Sequence, residues 1–244
     1  FSMSRLILIG PTQALAPEIT RLFGRQQWRE LTAIYNYSER LIFSLIPVVN
    51  LGILIVSPVL LTVWLHKPDL FFVLPYVITC AISMTLSAKE HKFQFQFSTN
   101  THERLARIMF FSYIVLVLVA IPMVHWLGML GFLYSWLAIE LYQVVRIIGL
   151  NRKLFAHTGQ HVLRYVYRLA GIGAIGLCGA GMVLARTHFL LYRMQFATGF
   201  GFSVAIAIVS FFLFNMQEIV KKLYTMFRNR FVPGDAEIVS GGER

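Results

Sequence analysis

Residues 41–64 contain no charged side chain. A helix rises about 1.5 Å per residue, so a run of this length crosses the roughly 30 Å hydrocarbon layer of a bilayer with some tilt. Further apolar runs occupy residues 70–88, 108–124, 129–145, 169–185 and 194–217, and residues 1–20 read as the end of another helix. With 57% hydrophobic and 14% charged residues, this is the balance of a membrane-embedded chain. The expected fold is all-α, a polytopic transmembrane helix bundle. Pro47, Asn50 and Pro58 fall inside the first full run and predict an interrupted or kinked helix, of the kind that lines transport pathways.

A net charge of +11 raises the question of nucleic acid. The cations lie between the apolar runs instead of on one patch, and no nucleic-acid partner is expected. One set of connections holds Arg21, Arg25, Arg29 and Arg40, then Lys89, Lys92, Arg104 and Arg107, then Arg146, Arg152, Lys153, Arg164 and Arg168. The tail adds Lys221, Lys222, Arg228, Arg230 and Arg244. The alternate connections, at 65–69, 125–128 and 186–193, hold Lys67, Arg186 and Arg193. With Arg5 set aside inside the first helix, the tally is eighteen against three. Cytoplasmic connections collect Lys and Arg, so the basic side and the C-terminus are expected in the cytoplasm.

That orientation gives "RLFGRQQWRELTAIY" a place along the cytoplasmic face as an amphipathic helical connector. Arg21, Arg25 and Arg29 form one helical stripe that can face lipid phosphates, while Trp28, Leu31 and Tyr35 form another suited to the interface. The tail at 221–244 is rich in small and charged residues without a period, which predicts disorder in part.

Chemistry-bearing motifs are sparse. "GIGAIG" at 171–176 matches a dinucleotide fingerprint literally, but no strand precedes it and it lies within an apolar run. It reads instead as a packing face in which Gly173, Gly176 and Ala180 let another helix approach closely. Cys80 and Cys178 both fall in apolar runs and read as buried small hydrophobes, without disulfide or metal spacing. His157 and His161 share a helical spacing in "HTGQH" with no glutamate between them, and His91 and His102 have no evident carboxylate partner. Acids are few and scattered, with aspartates only at Asp69 and Asp235, so neither a catalytic site, a metal site nor a cofactor is expected.

Glu140 is the one acid deep within an apolar run, in "WLAIELYQVV". Two readings stay open: it faces the protein interior as a functional group, or it pairs with Arg146 or another interfacial cation. Arg5 offers a cation to an anionic head group or snorkels to the outer interface. Asn50 and Glu140 are expected to contribute to a polar strip on one wall of the bundle.

The order of elements is specific. A helix ending in "LAPEITRLFGRQQWREL" precedes a span entered through "YSERLIFSLIPVVNLGILIVSPVLLTVWL", and "IPMVHWLGMLGFLYSWLAIELYQVV" supplies a later helix pair. Over residues 1–150 this layout resembles the second lobe of polysaccharide (O-antigen type) lipid-linked oligosaccharide flippases. These belong to the multidrug/oligosaccharidyl-lipid/polysaccharide superfamily, whose fold is shared with the multidrug-and-toxin (MATE-like) extruders. The resemblance implies a C-terminal transporter lobe at 1–150, from the end of helix eight to helix twelve. It further implies two additional transmembrane helices at 151–220 and a cytoplasmic tail at 221–244, in a bacterial cytoplasmic (inner) membrane. The opening Phe-Ser-Met-Ser reads as a helix already in progress, so the chain is expected to be a fragment whose N-terminal lobe is missing.

The implied activity is relocation of an isoprenoid-diphosphate-linked oligosaccharide between leaflets by alternating access. Coupling to a proton or sodium ion gradient, or to consumption of the product, would drive it. Arg5, Asn50 and Glu140 are the candidate pathway residues. A cation or drug exporter of the same fold and a non-transport membrane assembly partner are the alternatives. A membrane enzyme is disfavoured by the short outer connections.

Overall fold

A computed structural model describes residues 2–66, 70–156, 164–187, 201–202 and 204–215. The helices are α1 (Ser2–Ala14), α2 (Ala16–Gly24), α3 (Trp28–Trp64), α4 (Val73–Ser98), α5 (Glu103–Leu127), α6 (Met129–Leu154) and α7 (Arg164–Thr187), followed by α8 (Val204–Asn215). No strand occurs among the described residues. Lys67, His157, His161, residues 188–193, parts of the expected span at 194–217 and the tail at 221–244 lie outside them.

Four helices are long and apolar enough to cross a membrane: α3, α5, α6 and Tyr165–Ala185 of α7. Phe110, Phe111, Val117, Leu118 and Ile121 on α5 are each 60–67% exposed, an apolar surface that needs lipid or protein to cover it. The molecule is an all-α, multi-pass membrane bundle. α4 falls outside the four because Lys89, Glu90 and Lys92 continue the helix where the sequence suggested a connection. It can carry them because it is the hub, packed against α1, α2, α3, α6 and α7.

The expected interruption of the first full span does not occur. α3 runs for 37 residues through both Pro47 and Pro58. Nearby polar side chains turn back onto the helix: Asn50 Nδ2 donates to the Ile46 carbonyl at 2.9 Å, Ser57 Oγ to Ile53 at 2.7 Å and Thr62 Oγ1 to Pro58 at 2.9 Å. These bonds fall beside the prolines; the carbonyls that Pro47 and Pro58 leave without a helical donor are those of Phe43 and Leu54, and the helix continues past both. At about 1.5 Å per residue α3 is roughly 55 Å long, so its first turns project beyond the apolar zone.

The largest core joins α3, α4 and α7 around Ile46, Leu51, Leu54, Cys80, Met84 and Ala180. α7 fits there because its small residues face its neighbours. A Cβ on Gly173 would lie 2.9 Å from Met84 Cε, one on Gly176 2.4 Å from Leu51 Cδ1, and Ala180 has no exposed surface. Cys178 departs from the expectation of burial and is exposed. It shares a face with Ile175 and Met182, both exposed, because the helical period turns that stripe outward.

The α5–α6 hairpin turns at Gly128, whose φ of 58° and ψ of −138° are open essentially to glycine alone. Three residues later α6 passes so close to α5 that a Cβ on Gly131 would lie 1.9 Å from the Met123 carbonyl oxygen. Across α4, Ile78 and Ile82 pack on Leu133 of α6.

Candidate functional site

The run Lys89–Glu90–His91–Lys92 falls on four consecutive positions of α4. Successive side chains on a helix diverge by about 100°, so four polar residues in a row cannot share a face. Each must find its own partner.

Lys89 is buried and donates to Glu140 of α6 and, at 2.8 Å, to Gln143 Oε1. Glu90 receives Arg5 of α1 in a half-exposed ion pair. His91 Nε2 lies 2.9 Å from Ser38 Oγ of α3. Ser38 Oγ also reaches the Tyr35 carbonyl at 3.1 Å, and His91 Nδ1 has no hydrogen-bond partner among the described residues. Lys92 donates to Glu39 and to the Tyr35 hydroxyl, with its Nζ 4.6 Å from the Tyr35 ring centroid and 5.2 Å from that of Phe43. Both members of the Lys92–Glu39 pair are 1% exposed.

The network continues toward the C-terminal end of α4. Gln96 Nε2 donates to Asn151 Oδ1 at 2.5 Å, and Asn151 Nδ2 donates to the Lys92 carbonyl at 3.1 Å. Gln143 Nε2 donates to Ser112 Oγ of α5 at 2.6 Å. Polar bonds therefore tie α4 to α1, α3 and α6, and α6 to α5.

Between α1, α4, α5 and α6 lies a cavity of about 300 Å³, with Arg5, Lys89, Glu90, Tyr113, Trp136 and Glu140 in its lining. The Glu140 carboxylate is surrounded by donors: Lys89 Nζ, Trp136 Nε1 at 3.1 Å and the Tyr113 hydroxyl at 3.4 Å. Both acids in this wall are matched by cations. A positively charged ligand would have to displace Lys89 or Arg5, whereas a neutral polar or zwitterionic group could lie along the paired charges beside the aromatic rings.

Of the three candidate pathway residues, the structure brings two together. Arg5 and Glu140 line this cavity, and Glu140 turns inward with only 1% exposure, paired with Lys89 and not Arg146. Asn50 lies elsewhere, wholly buried between α3 and α4, where its carbonyl accepts from Cys80 Sγ at 3.4 Å. The expected polar strip containing Asn50 and Glu140 is corrected accordingly: both are buried, at separate places, because each finds hydrogen bonds inside the bundle.

The connector also differs from expectation. α2 stops at Gly24, and Gln26 takes a φ of 55°. Gln27 N–H bonds to the Leu22 carbonyl at 3.0 Å and Gln26 N–H to Phe23 at 3.0 Å, the paired bonds of a Schellman termination. The break separates Arg29 from the helix carrying Arg21, so Arg21, Arg25 and Arg29, although all exposed, do not form one helical stripe. Arg21 is engaged by Glu18 at 2.5 and 2.8 Å, and this hydrogen bonding holds the Glu18 carboxyl below its ordinary range. Trp28 is half-buried, edge-on to Phe23 with ring centroids 5.5 Å apart, beside a cluster of Ile19, Leu22, Leu31, Tyr35, Phe95 and Phe155.

Sequence reasoning missed Lys89, Lys92 and Glu39 because a polar run after an apolar one looks like a span's end. The available signal was the spacing of Tyr35 and Glu39, one helical turn apart, ahead of an unbroken apolar run. Among the described residues no group of three or more His, Cys, Asp or Glu could hold a metal ion. A scan against family models, a search of curated proteins and a search of solved structures each return no match.

Proposed function

We propose that this chain forms a lobe of a membrane transporter that moves an isoprenoid-diphosphate-linked oligosaccharide from the cytoplasmic to the outer leaflet of a bacterial inner membrane. The observation that carries the reading is the intramembrane cavity lined by two ion pairs, Arg5–Glu90 and Lys89–Glu140, with Tyr113 and Trp136 beside them. Ionisable groups inside a bundle are costly and mark substrate paths. Aromatic faces and paired charges suit the neutral sugars of a glycan head group, and the resemblance in helix order points to the same substrate class. In this reading the basic connections lie in the cytoplasm and the lobe rocks against a facing lobe to alternate access.

The matched acids favour this reading over a cation or drug exporter, which needs an acid able to receive its substrate. The test is deletion of the gene, with surface polysaccharide and inner-leaflet lipid-linked glycan as readouts. Loss of the first with accumulation of the second is expected, together with rescue by the wild-type gene but not by a well-inserted Lys89→Met/Glu140→Met variant. Unchanged surface polysaccharide in the deletion strain would sink the flippase reading, and new sensitivity to cationic dyes would favour the exporter. Full rescue by the double variant would make the pair purely structural, as in an assembly partner.

A further inference from the structure

A second cavity, of about 480 Å³, lies between α5 and α6, with no residue of α4 in its lining. Its floor and walls are Ile108, Phe111, Val115, Ala138 and Ile139, with Tyr142 at one side and Ser112 at the back. Two arginines complete the lining, Arg107 from α5 and Arg146 from α6. Both are exposed.

Their depth is informative. Arg107 lies twenty residues before the end of α5 at Leu127, and Arg146 seventeen after the start of α6 at Met129. At about 1.5 Å per residue both cations stand roughly 26–30 Å from the Gly128 turn, one hydrocarbon thickness away. The arginines are therefore at one membrane interface, while the apolar slot beside them lies within the hydrocarbon.

We infer that this slot binds one anionic phospholipid, its phosphate held by Arg107 and Arg146 and an acyl chain lying between α5 and α6. Charge complementarity selects the occupant. Two guanidinium groups at the mouth suit a phosphodiester, because their planar donors match phosphate oxygens. Glu103 pairs with Arg107 at 2.6 Å, but the two side chains are 84% and 65% exposed, so this is a weak surface pair that leaves donors available. Arg146 lies 5.9 Å from the Tyr142 ring centroid, which places it over the slot's aromatic side. A free phosphate would use the arginines alone and leave the slot uncovered.

The site has a route inward. Ser112 at its back accepts from Gln143, which in turn accepts from Lys89, the partner of Glu140. The lipid would bear on the same hydrogen-bond chain that reaches the Lys89–Glu140 pair. The inference stands whether or not the protein is a flippase.

The test uses the full chain purified in detergent, with bound lipid counted by native mass spectrometry and thermal stability followed alongside. Phosphatidylglycerol should bind one per protein and raise stability, whereas phosphatidylcholine and inorganic phosphate should not. Arg107→Gln/Arg146→Gln should weaken retention about tenfold or more, as loss of charge-assisted bonds requires. Ala138→Phe, which fills the slot, should weaken it too, and Arg152→Gln/Lys153→Gln should leave it within about twofold. Equal binding of phosphatidylcholine, undiminished retention in the double glutamine variant, or an equal loss with the Arg152/Lys153 pair would each overturn the inference. So would complete displacement of the lipid by inorganic phosphate. If the glutamine variant does not fold, Arg107→Lys/Arg146→Lys keeps the charge but removes the planar fork. It should bind several-fold more weakly, and wild-type retention there would equally overturn the assignment.

Discussion

Lys89 on α4 and Glu140 on α6, 51 residues apart in sequence, meet as an ion pair with side chains only 4% and 1% exposed. If either is removed the other is left as an unmatched charge inside the bundle. A buried charge that loses its partner costs about 3–5 kcal/mol, whereas replacing both partners by apolar groups of similar volume is often neutral. Glu140→Gln is therefore expected to lower stability by roughly that amount and Lys89→Met/Glu140→Met by much less, as measured by thermal unfolding in detergent. Equal losses in the single and double variants would show that the two residues are not energetically coupled.

The Lys92–Glu39 pair adds a hydroxyl and two ring faces to the same logic. Glu39→Gln should be destabilising by several kcal/mol, for the reason given for Glu140. Tyr35→Phe removes only one acceptor from Lys92 and keeps the ring beneath it, so a loss of about 1 kcal/mol is expected. A larger penalty for Tyr35→Phe than for Glu39→Gln would reverse the assigned order of importance.

Gly131→Ala should be among the more damaging small substitutions in the protein. The new methyl would meet a backbone carbonyl of α5 and not the end of a flexible side chain, and overpacking of this kind costs about 1–3 kcal/mol or more. Gly149→Ala, in the same helix with open space around it, should instead gain up to about 1 kcal/mol from helix propensity. Thermal stability of the two variants side by side is the measurement, and identical behaviour would refute the close approach of α5 and α6.

Gln26→Gly should stabilise by about 1 kcal/mol, because a side chain at positive φ is strained and glycine is not. If the α2–α3 break were instead a continuous helix, the same substitution would cost a comparable amount. The sign of the change in unfolding midpoint decides between them.

Orientation can be read with single cysteines in a background lacking Cys80 and Cys178. Thr101, in the turn after α4, is expected to be protected from an impermeant thiol reagent in intact cells, and Leu127, at the end of α5, to be labelled. The reverse pattern would invert the proposed topology.

The helical class and the positions of the long helices were legible because an uncharged run of membrane length has few alternatives. The continuity of α3 was not, because whether proline breaks a membrane helix depends on the neighbours packed around it, which the sequence of one helix does not carry. Asn50 and Glu140 were rightly seen as polar groups in apolar surroundings, but sequence alone does not say which neighbour satisfies each. Glu140 needed α4, and Asn50 was satisfied largely within its own turn. The end of α4 was placed too early since charge following an apolar run looks like departure from the membrane. Only the surrounding helices reveal that these charges stay inside.

A helix with polar groups on every side is also an awkward passenger during synthesis. α3 emerges from the ribosome ahead of α4 and brings Glu39 for Lys92, but Glu140 follows Lys89 by 51 residues. At about 5–20 residues per second, Lys89 waits roughly 3–10 s for its counter-ion. A lysine at mid-bilayer costs about 2.5–3.5 kcal/mol during insertion, so α4 has reason to linger beside the insertion machinery until α6 arrives. Its integration into lipid is then a joint event with the α5–α6 hairpin, and the order in which helices are made is not the order in which they settle.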